Sequence, residues 1–324
     1  METNKLDSFK RMTPVMREIV AFEEAESNRF RQDKSEALDE RMLYSMARKY
    51  WNEDSPEMAK SLRYELQEGN MTIPFVIHYP ENKKTHEPIL YIHGGGFVVG
   101  STATHEGIMR RLAKETGAAV VGIDYSLAPE VKFPIQLEEC AALAKHLAKN
   151  GDRYGLGGDG ISIAGDSAGA YLALAITIYM RDREDISWIR SLILYYGAFG
   201  LKDSMSMRLY GGSWDGLSLV ELKKYSSIFT RVGDEDNPYR NLFLSDLTYG
   251  IPPCYIMACE LDPLKDDSRL LHAILTEYGM DAFYREVPGV IHAFMHYAKK
   301  LPEATVILRE SAEFYRNPEG FHTE

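Results

Sequence analysis

Hydrophobic positions along the chain fall into two regimes. Up to about residue 60 they recur at helical spacing in a charged background: Val15, Ile19, Val20 and Phe22 mark one stripe, and Leu43, Met46, Ala47 and Tyr50 a second. From about residue 62, short apolar runs take over, at 73–79, 89–92, 118–123, 161–164, 192–196, 255–258 and 283–287. Runs this short predict strands buried on both faces. Helical stretches lie between them at 106–116, 135–149, 168–181 and 268–278. Strand and helix in alternation predict a mostly parallel sheet with helices on both faces, an α/β fold.

One stretch breaks the alternation. Residues 199–249 are polar and Gly-rich, with a helix expected near 219–230. We read them as an insertion above the sheet which, with the helical segment 1–60, caps a pocket. The expected organisation is one domain over 1–324, since α/β enzymes of this size are often single domains with insertions. A hydrophobic share of 45% with 26% charged residues fits an ordinary soluble chain.

The formal net charge of -11 repels phosphate backbones and anionic lipid, which argues against nucleic-acid and membrane-surface partners. The longest apolar stretch, 168–180, is too short to span a bilayer, and the first ten residues lack a signal-peptide core. Cys140, Cys254 and Cys259 are an odd set without close pairing, so reduced thiols in a cytoplasmic protein are expected. Cys254 and Cys259 end one apolar run and read as buried strand residues.

The chemistry concentrates at four places. The run 161–164 ends in Gly165-Asp166-Ser167-Ala168-Gly169, a Gly-x-Ser-x-Gly between strand and helix. There a Ser can sit on a tight turn with its hydroxyl projecting from the sheet edge. The following helix aims N-terminal amides at developing negative charge. His93-Gly94-Gly95-Gly96-Phe97 follows the run 89–92, and adjacent glycines let backbone N–H groups turn toward one point. Acyl transfer needs such donors for its oxyanion. The expected set is Gly95 and Gly96, with Gly94 and the amide of Ala168, while His93 braces its own loop.

His292 follows the run 283–287 and can reach back over the sheet edge as the base; His296 competes. Asp262, in the turn after 255–258, is the expected acid, against Glu260, Asp266 and Asp267, the last two also able to cap the next helix. Phe97, Tyr196 and Trp214 are placed where pocket walls could form, and core packing explains them equally well. His78 and His86 lie near turns and read as surface residues.

Other patterns fail on context. Gly155–Gly160 matches G-x-G-x-x-G but follows a helix and precedes a strand, the reverse of a dinucleotide site. His292 and His296 have metal-like spacing, but no Glu follows His292. Neither a cofactor nor a metal is expected.

The order Ser167, Asp262, His292, preceded by His93-Gly-Gly-Gly96, resembles the α/β-hydrolase fold. More narrowly the chain resembles the hormone-sensitive-lipase-like carboxylesterases, with the acetyl esterases of enteric bacteria among them. Asp124-Tyr-Ser-Leu-Ala-Pro-Glu130, Lys132-Phe-Pro134, Gly211-Gly-Ser-Trp-Asp-Gly-Leu217 and 262–270 carry this likeness. It implies hydrolysis of short-chain acyl esters, with Ser167 as nucleophile, Asp262 as acid and His292 as base, under a helical N-terminal cap. The family's common Arg in the first of those segments is Ser126 here, which leaves that loop's pairing open. The resemblance also implies protein partners, a maltose-regulon transcription activator and an α-galactosidase, and so an alternative role as a regulatory interaction module. No residue selects between a monomer and a homodimer.

Overall fold

The computed structural model describes residues 6–32, 39–81, 87–212 and 214–321. His86 lies outside them. Eight strands form one sheet: β1 (Lys60–Glu68), β2 (Met71–Tyr79), β3 (Ile89–Ile92), β4 (Val120–Ile123), β5 (Ile161–Asp166), β6 (Ile189–Tyr195), β7 (Cys254–Leu261) and β8 (Ala282–Ile291). Their spatial order is β1-β2-β4-β3-β5-β6-β7-β8. β1 pairs antiparallel with β2, and β2 with β4; every later pair is parallel.

The central strands carry apolar residues at successive positions because both faces are covered. Leu90 and Ile92 of β3 point into one core, with Ile163 and Leu194; Ile89 and Tyr91 point into the other, with Ala164 and Ile193. The first core takes Leu137 and Leu143 from α5 (Ile135–Asn150), Leu172 and Ile176 from α6 (Ala168–Arg181), and Leu271 and Leu275 from α9 (Lys265–Glu277). The second takes Met16 and Ile19 from α2 (Pro14–Gln32), Ile108 and Leu112 from α4 (Glu106–Thr116), and Ile307 and Leu308 from α10 (Pro302–Arg316). Helix α6 is apolar all round, as a helix buried on every side must be. No helix among the described residues is long and apolar enough to cross a membrane.

The remaining helices are α1 (Ser8–Arg11), α3 (Glu40–Asn52), α7 (Met205–Leu209) and α8 (Leu219–Phe229). A full capping box, Ser218 with Glu221, starts α8. Glu40 of α3 ties this helix down: it accepts from Tyr225 Oη at 2.8 Å and pairs with Lys224 Nζ at 2.5 Å.

Two elements go beyond the alternation read from the sequence. Strand β1 is an exposed edge strand in which Leu66 is the one buried residue, and α10 follows the last strand. One expectation is corrected. His78 is buried, because it sits on β2 between β1 and β4, with Nδ1 2.8 Å from Ser61 Oγ. Burial, then nearby Arg110 and Arg63, lowers its pKa to about 4. Cys140, Cys254 and Cys259 are free and buried, and burial raises all three thiols above their ordinary value.

Candidate active site

Ser167 stands between the last residue of β5 and the first of α6 with φ +54° and ψ -118°. This is a strained backbone for a residue with a Cβ. The flanking glycines make the turn feasible. A Cβ on Gly165 would lie 2.4 Å from the Gly169 carbonyl carbon, and one on Gly169 would lie 1.9 Å from Ile92 O. Strand, Ser167 turn and helix therefore lock together at backbone contact.

His292 follows β8 and its ring spans the gap to the turn. Nε2 lies 2.9 Å from Ser167 Oγ, and Nδ1 lies 2.7 Å from Asp262 Oδ2. Asp262 is fully buried after β7, and its Oδ1 accepts the Leu264 amide at 2.8 Å. The competing carboxylates are committed elsewhere. Glu260 pairs with Arg11 and accepts the Gly289 amide, Asp266 accepts the Ser206 amide, and Asp267 accepts the Gly200 and Leu201 amides. His296 sits in a short 3-10 turn with Nε2 3.3 Å from Tyr44 Oη, and burial first, then Arg48, drives its pKa well down.

A support that the sequence did not disclose comes from the 199–249 stretch. Asp215 Oδ2 accepts the Gly211 and Gly212 amides at 2.7 and 3.1 Å, and Asp215 O accepts the His292 amide at 3.2 Å. Asp215 thus braces the backbone that carries the imidazole. Gly211–Leu217 was visible as a motif, but this role depends on a contact 77 residues away (292 less 215).

Beside Ser167 lies the loop after β3. Gly95 has φ +111° and Gly96 φ +60°, and a Cβ on Gly96 would lie 2.3 Å from the Tyr225 ring. The amides of Gly95, Gly96 and Ala168 carry no hydrogen bond among the described residues, and all three residues line the same cavity as Ser167 and His292. Gly94 departs from the expectation: its N–H is already donated to Asp166 Oδ1 at 3.0 Å, so it is not free for an oxyanion. His93 donates from Nδ1 to Gly94 O at 2.8 Å and stacks on Tyr125 at 4.3 Å, which anchors the loop.

The cavity measures about 810 Å³ and is walled by Tyr44 and Arg48 of α3, the glycine loop after β3, and Leu219, Leu222 and Tyr225 of α8. Phe97 lines it, stacked on Phe229 at 3.7 Å. Tyr196 and Trp214 do not. Tyr196 is fully buried behind His292, ring to ring 5.0 Å, and Trp214 packs on Phe9 at 5.4 Å. The open loop pairing at Ser126 is resolved: its amide and hydroxyl both donate to Glu139, at 2.7 and 2.6 Å. Burial raises the Glu139 pKa, with the Ser126 bonds opposing.

Among the described residues, His105, Asp166 and His296 are the group whose ligand atoms lie close enough to hold a metal, all within 4.8 Å of one another. The Arg48 guanidinium acts on His296 there and adds positive charge unfavourable to a cation.

Comparison with known proteins agrees with this architecture. The alpha/beta hydrolase fold family matches residues 89–296. An acetyl esterase of Salmonella agona is 38% identical over 315 residues, covering 96% of both chains, and that of Salmonella typhi is 38% identical over 316. Among solved structures, a hyperthermophilic esterase from the archaeon Pyrobaculum calidifontis has a TM-score of 0.86 at 29% identity, covering 94% of this chain and 97% of that one. An ester hydrolase from the metagenome of Lake Arreo, solved with a bipyridine phosphonate derivative, has a TM-score of 0.85 at 25% identity, covering 93% and 97%. The chain belongs to the alpha/beta hydrolase fold family that includes the Salmonella acetyl esterases.

Proposed function

We propose that this chain is a serine carboxylesterase that acts on short acyl esters through an acyl-enzyme. The observation that carries the reading is the continuous hydrogen-bonded line Asp262–His292–Ser167, opening onto a cavity with unoccupied backbone donors. His292 Nε2 takes the hydroxyl proton as Ser167 Oγ attacks the ester carbonyl. Asp262 keeps the Nδ1 proton in place and stabilises the imidazolium. Amides of Gly95, Gly96 and Ala168 receive the oxyanion. His292 then protonates the leaving alcohol, and water repeats the sequence on the acyl-enzyme.

An acetyl group fills a small part of 810 Å³. The short-acyl preference is therefore supported by the names of the relatives and by the Tyr225 ring pressed on Gly96, with the remaining space serving the alcohol. The walls from α3 and α8 support a cap built from 1–60 and 199–249 on a single domain. The test is turnover of p-nitrophenyl acetate by Ser167→Ala: loss to background is expected, and undiminished turnover by the folded variant excludes the mechanism. A chain-length series tests the acyl side, and an optimum at long acyl chains contradicts it.

A further inference from the structure

Helix α3 carries a cation to the cavity that no step of the proposed reaction uses. Glu40, Tyr44 and Arg48 recur every fourth residue and so share one face of that helix. Glu40 holds Tyr225 and Lys224 of α8, while Tyr44 and Arg48 line the cavity that Ser167 and His292 also line. Arg48 is 9% exposed, and its Nε and Nη1 are buried with no hydrogen-bond partner among the described residues. The guanidinium lies 4.7 Å from the centre of the Tyr44 ring and 5.8 Å from that of Tyr297, faces that attract the charge but offer no carboxylate. Glu23 is the carboxylate within ion-pair range, and its Oε2 stands 3.9 Å from Nη1, beyond a hydrogen bond. Its Oε1 is spent on Trp51 Nε1 at 2.5 Å.

A guanidinium stays charged at any physiological pH. Kept out of water without hydrogen bonds, it is costly to the fold. Two other cations of the cavity wall are committed. Arg240 donates from Nε to Thr230 Oγ1 at 2.7 Å and from Nη2 to Ser226 Oγ at 2.8 Å, and Lys202 pairs with Asp236 at 3.1 Å. Arg48 is left for a molecule that enters the cavity. Its place on the helix says which part of that molecule it meets. Glu40 holds Tyr225, the ring pressed on Gly96 that closes the acyl side, and Arg48 lies two turns further along α3, about 12 Å of helix rise. It therefore faces the space left for the alcohol.

We propose that Arg48 is a substrate-binding residue that reads a carboxylate on the alcohol portion, so that the esters this chain cleaves are short-acyl esters of hydroxy acids. The proposal rests on the serine-esterase reading above and names its substrate class. A planar guanidinium matches the paired oxygens of a carboxylate. Water cleaves such an ester to the acyl carboxylate and the free hydroxy acid, with one proton released, and no other reactant is needed. The formal net charge of -11 gives an anion no long-range attraction, so selection comes from this contact and acts on KM.

The experiment measures acetate release from acetoxyacetate and its longer ω-acetoxy homologues, each against its primary amide, with kcat and KM separated. For the homologue that reaches Arg48, the wild type is expected to favour the carboxylate about tenfold or more in kcat/KM, mainly through KM. Arg48→Met keeps an unbranched chain without the charge and should abolish this ratio, whereas Arg48→Lys, a point charge without the fork, should retain part of it. Each variant is read as a ratio of two substrates, so general damage to the cap cancels. If neither variant folds, the wild type still decides: the free hydroxy acid should inhibit competitively at about tenfold lower concentration than the corresponding diol. Equal turnover of every carboxylate and its amide would overturn the proposal, as would a preference that survives Arg48→Met. A lowered melting temperature with the ratio intact marks a purely structural Arg48 and overturns it too. An acetoxyalkyl phosphate preferred over every carboxylate would overturn the assignment of the anion. A folded enzyme that phosphonates leave fully active would instead overturn the serine reading.

Discussion

Replacing Asp262 by Asn changes one atom in the line that runs to the nucleophile, and the surroundings determine how the new amide sits. In the wild type Oδ1 accepts the Leu264 amide at 2.8 Å and Oδ2 faces His292 Nδ1 at 2.7 Å. An Asn that keeps its oxygen on the Leu264 amide must turn its NH2 toward His292. Nδ1 then becomes the acceptor, and the ring proton moves to Nε2, the atom 2.9 Å from Ser167 Oγ. A protonated Nε2 cannot take the hydroxyl proton. In Ser-His-Asp triads this substitution costs about 10⁴-fold in kcat, or about 5.5 kcal/mol of transition-state stabilisation. Both side chains are buried, so no water substitutes for the lost partner. Steady-state hydrolysis of p-nitrophenyl acetate at neutral pH is the assay. KM should change little and the melting temperature should stay close to wild type, because the isosteric amide keeps the packing. A loss of less than tenfold in a folded variant would refute the tautomer argument.

Other perturbations follow from the same geometry. Tyr225→Ala removes the ring that lies against Gly96. Each buried CH2 is worth about 0.8 kcal/mol, so the kcat/KM ratio of butyrate to acetate ester should rise about tenfold; an unchanged ratio shows that the ring does not limit the acyl side. Gly169→Ala drives a Cβ against Ile92 O and should cost about 3 kcal/mol or more, read as a lowered melting temperature or insoluble protein. Burial, opposed by amides of Gly200, Leu201 and Phe199, raises the Asp267 pKa from 3.8 to about 7. The unfolded chain therefore ionises first, and stability falls as pH climbs from about 4 to about 7. Asp267→Asn should accordingly stabilise the protein at pH 8 relative to wild type and confer less advantage at pH 5, by denaturant titration; an equal effect at both pH values contradicts this.

How far the sequence carried the fold depended on burial. β3, β4 and β5 are buried at every position, so their apolar runs stand out, whereas β1 buries only Leu66 and its charged, exposed pattern hides it. His78 was misplaced for the related reason that a strand inside a sheet can bury a polar side chain if a neighbour such as Ser61 meets it. At the site, Gly165–Gly169 and the glycine loop were legible because backbone conformations with no room for a Cβ leave glycines in the sequence. Lining residues were not. Trp214 meets Phe9 and Tyr196 packs behind His292, and both contacts join segments far apart in the chain. The engagement of Gly94 was hidden likewise, since its partner Asp166 lies 72 residues away.

In the proposed reaction Ser167 Oγ is the atom that attacks. A p-nitrophenyl alkylphosphonate reacts irreversibly with an activated serine, and mass spectrometry of the digested protein locates the adduct. One phosphonyl group is expected on the peptide containing Ser167, formed in step with loss of activity, and no labelling when His292→Ala removes the base. Stoichiometric label on any other residue, or full inactivation with Ser167 unmodified, would contradict it.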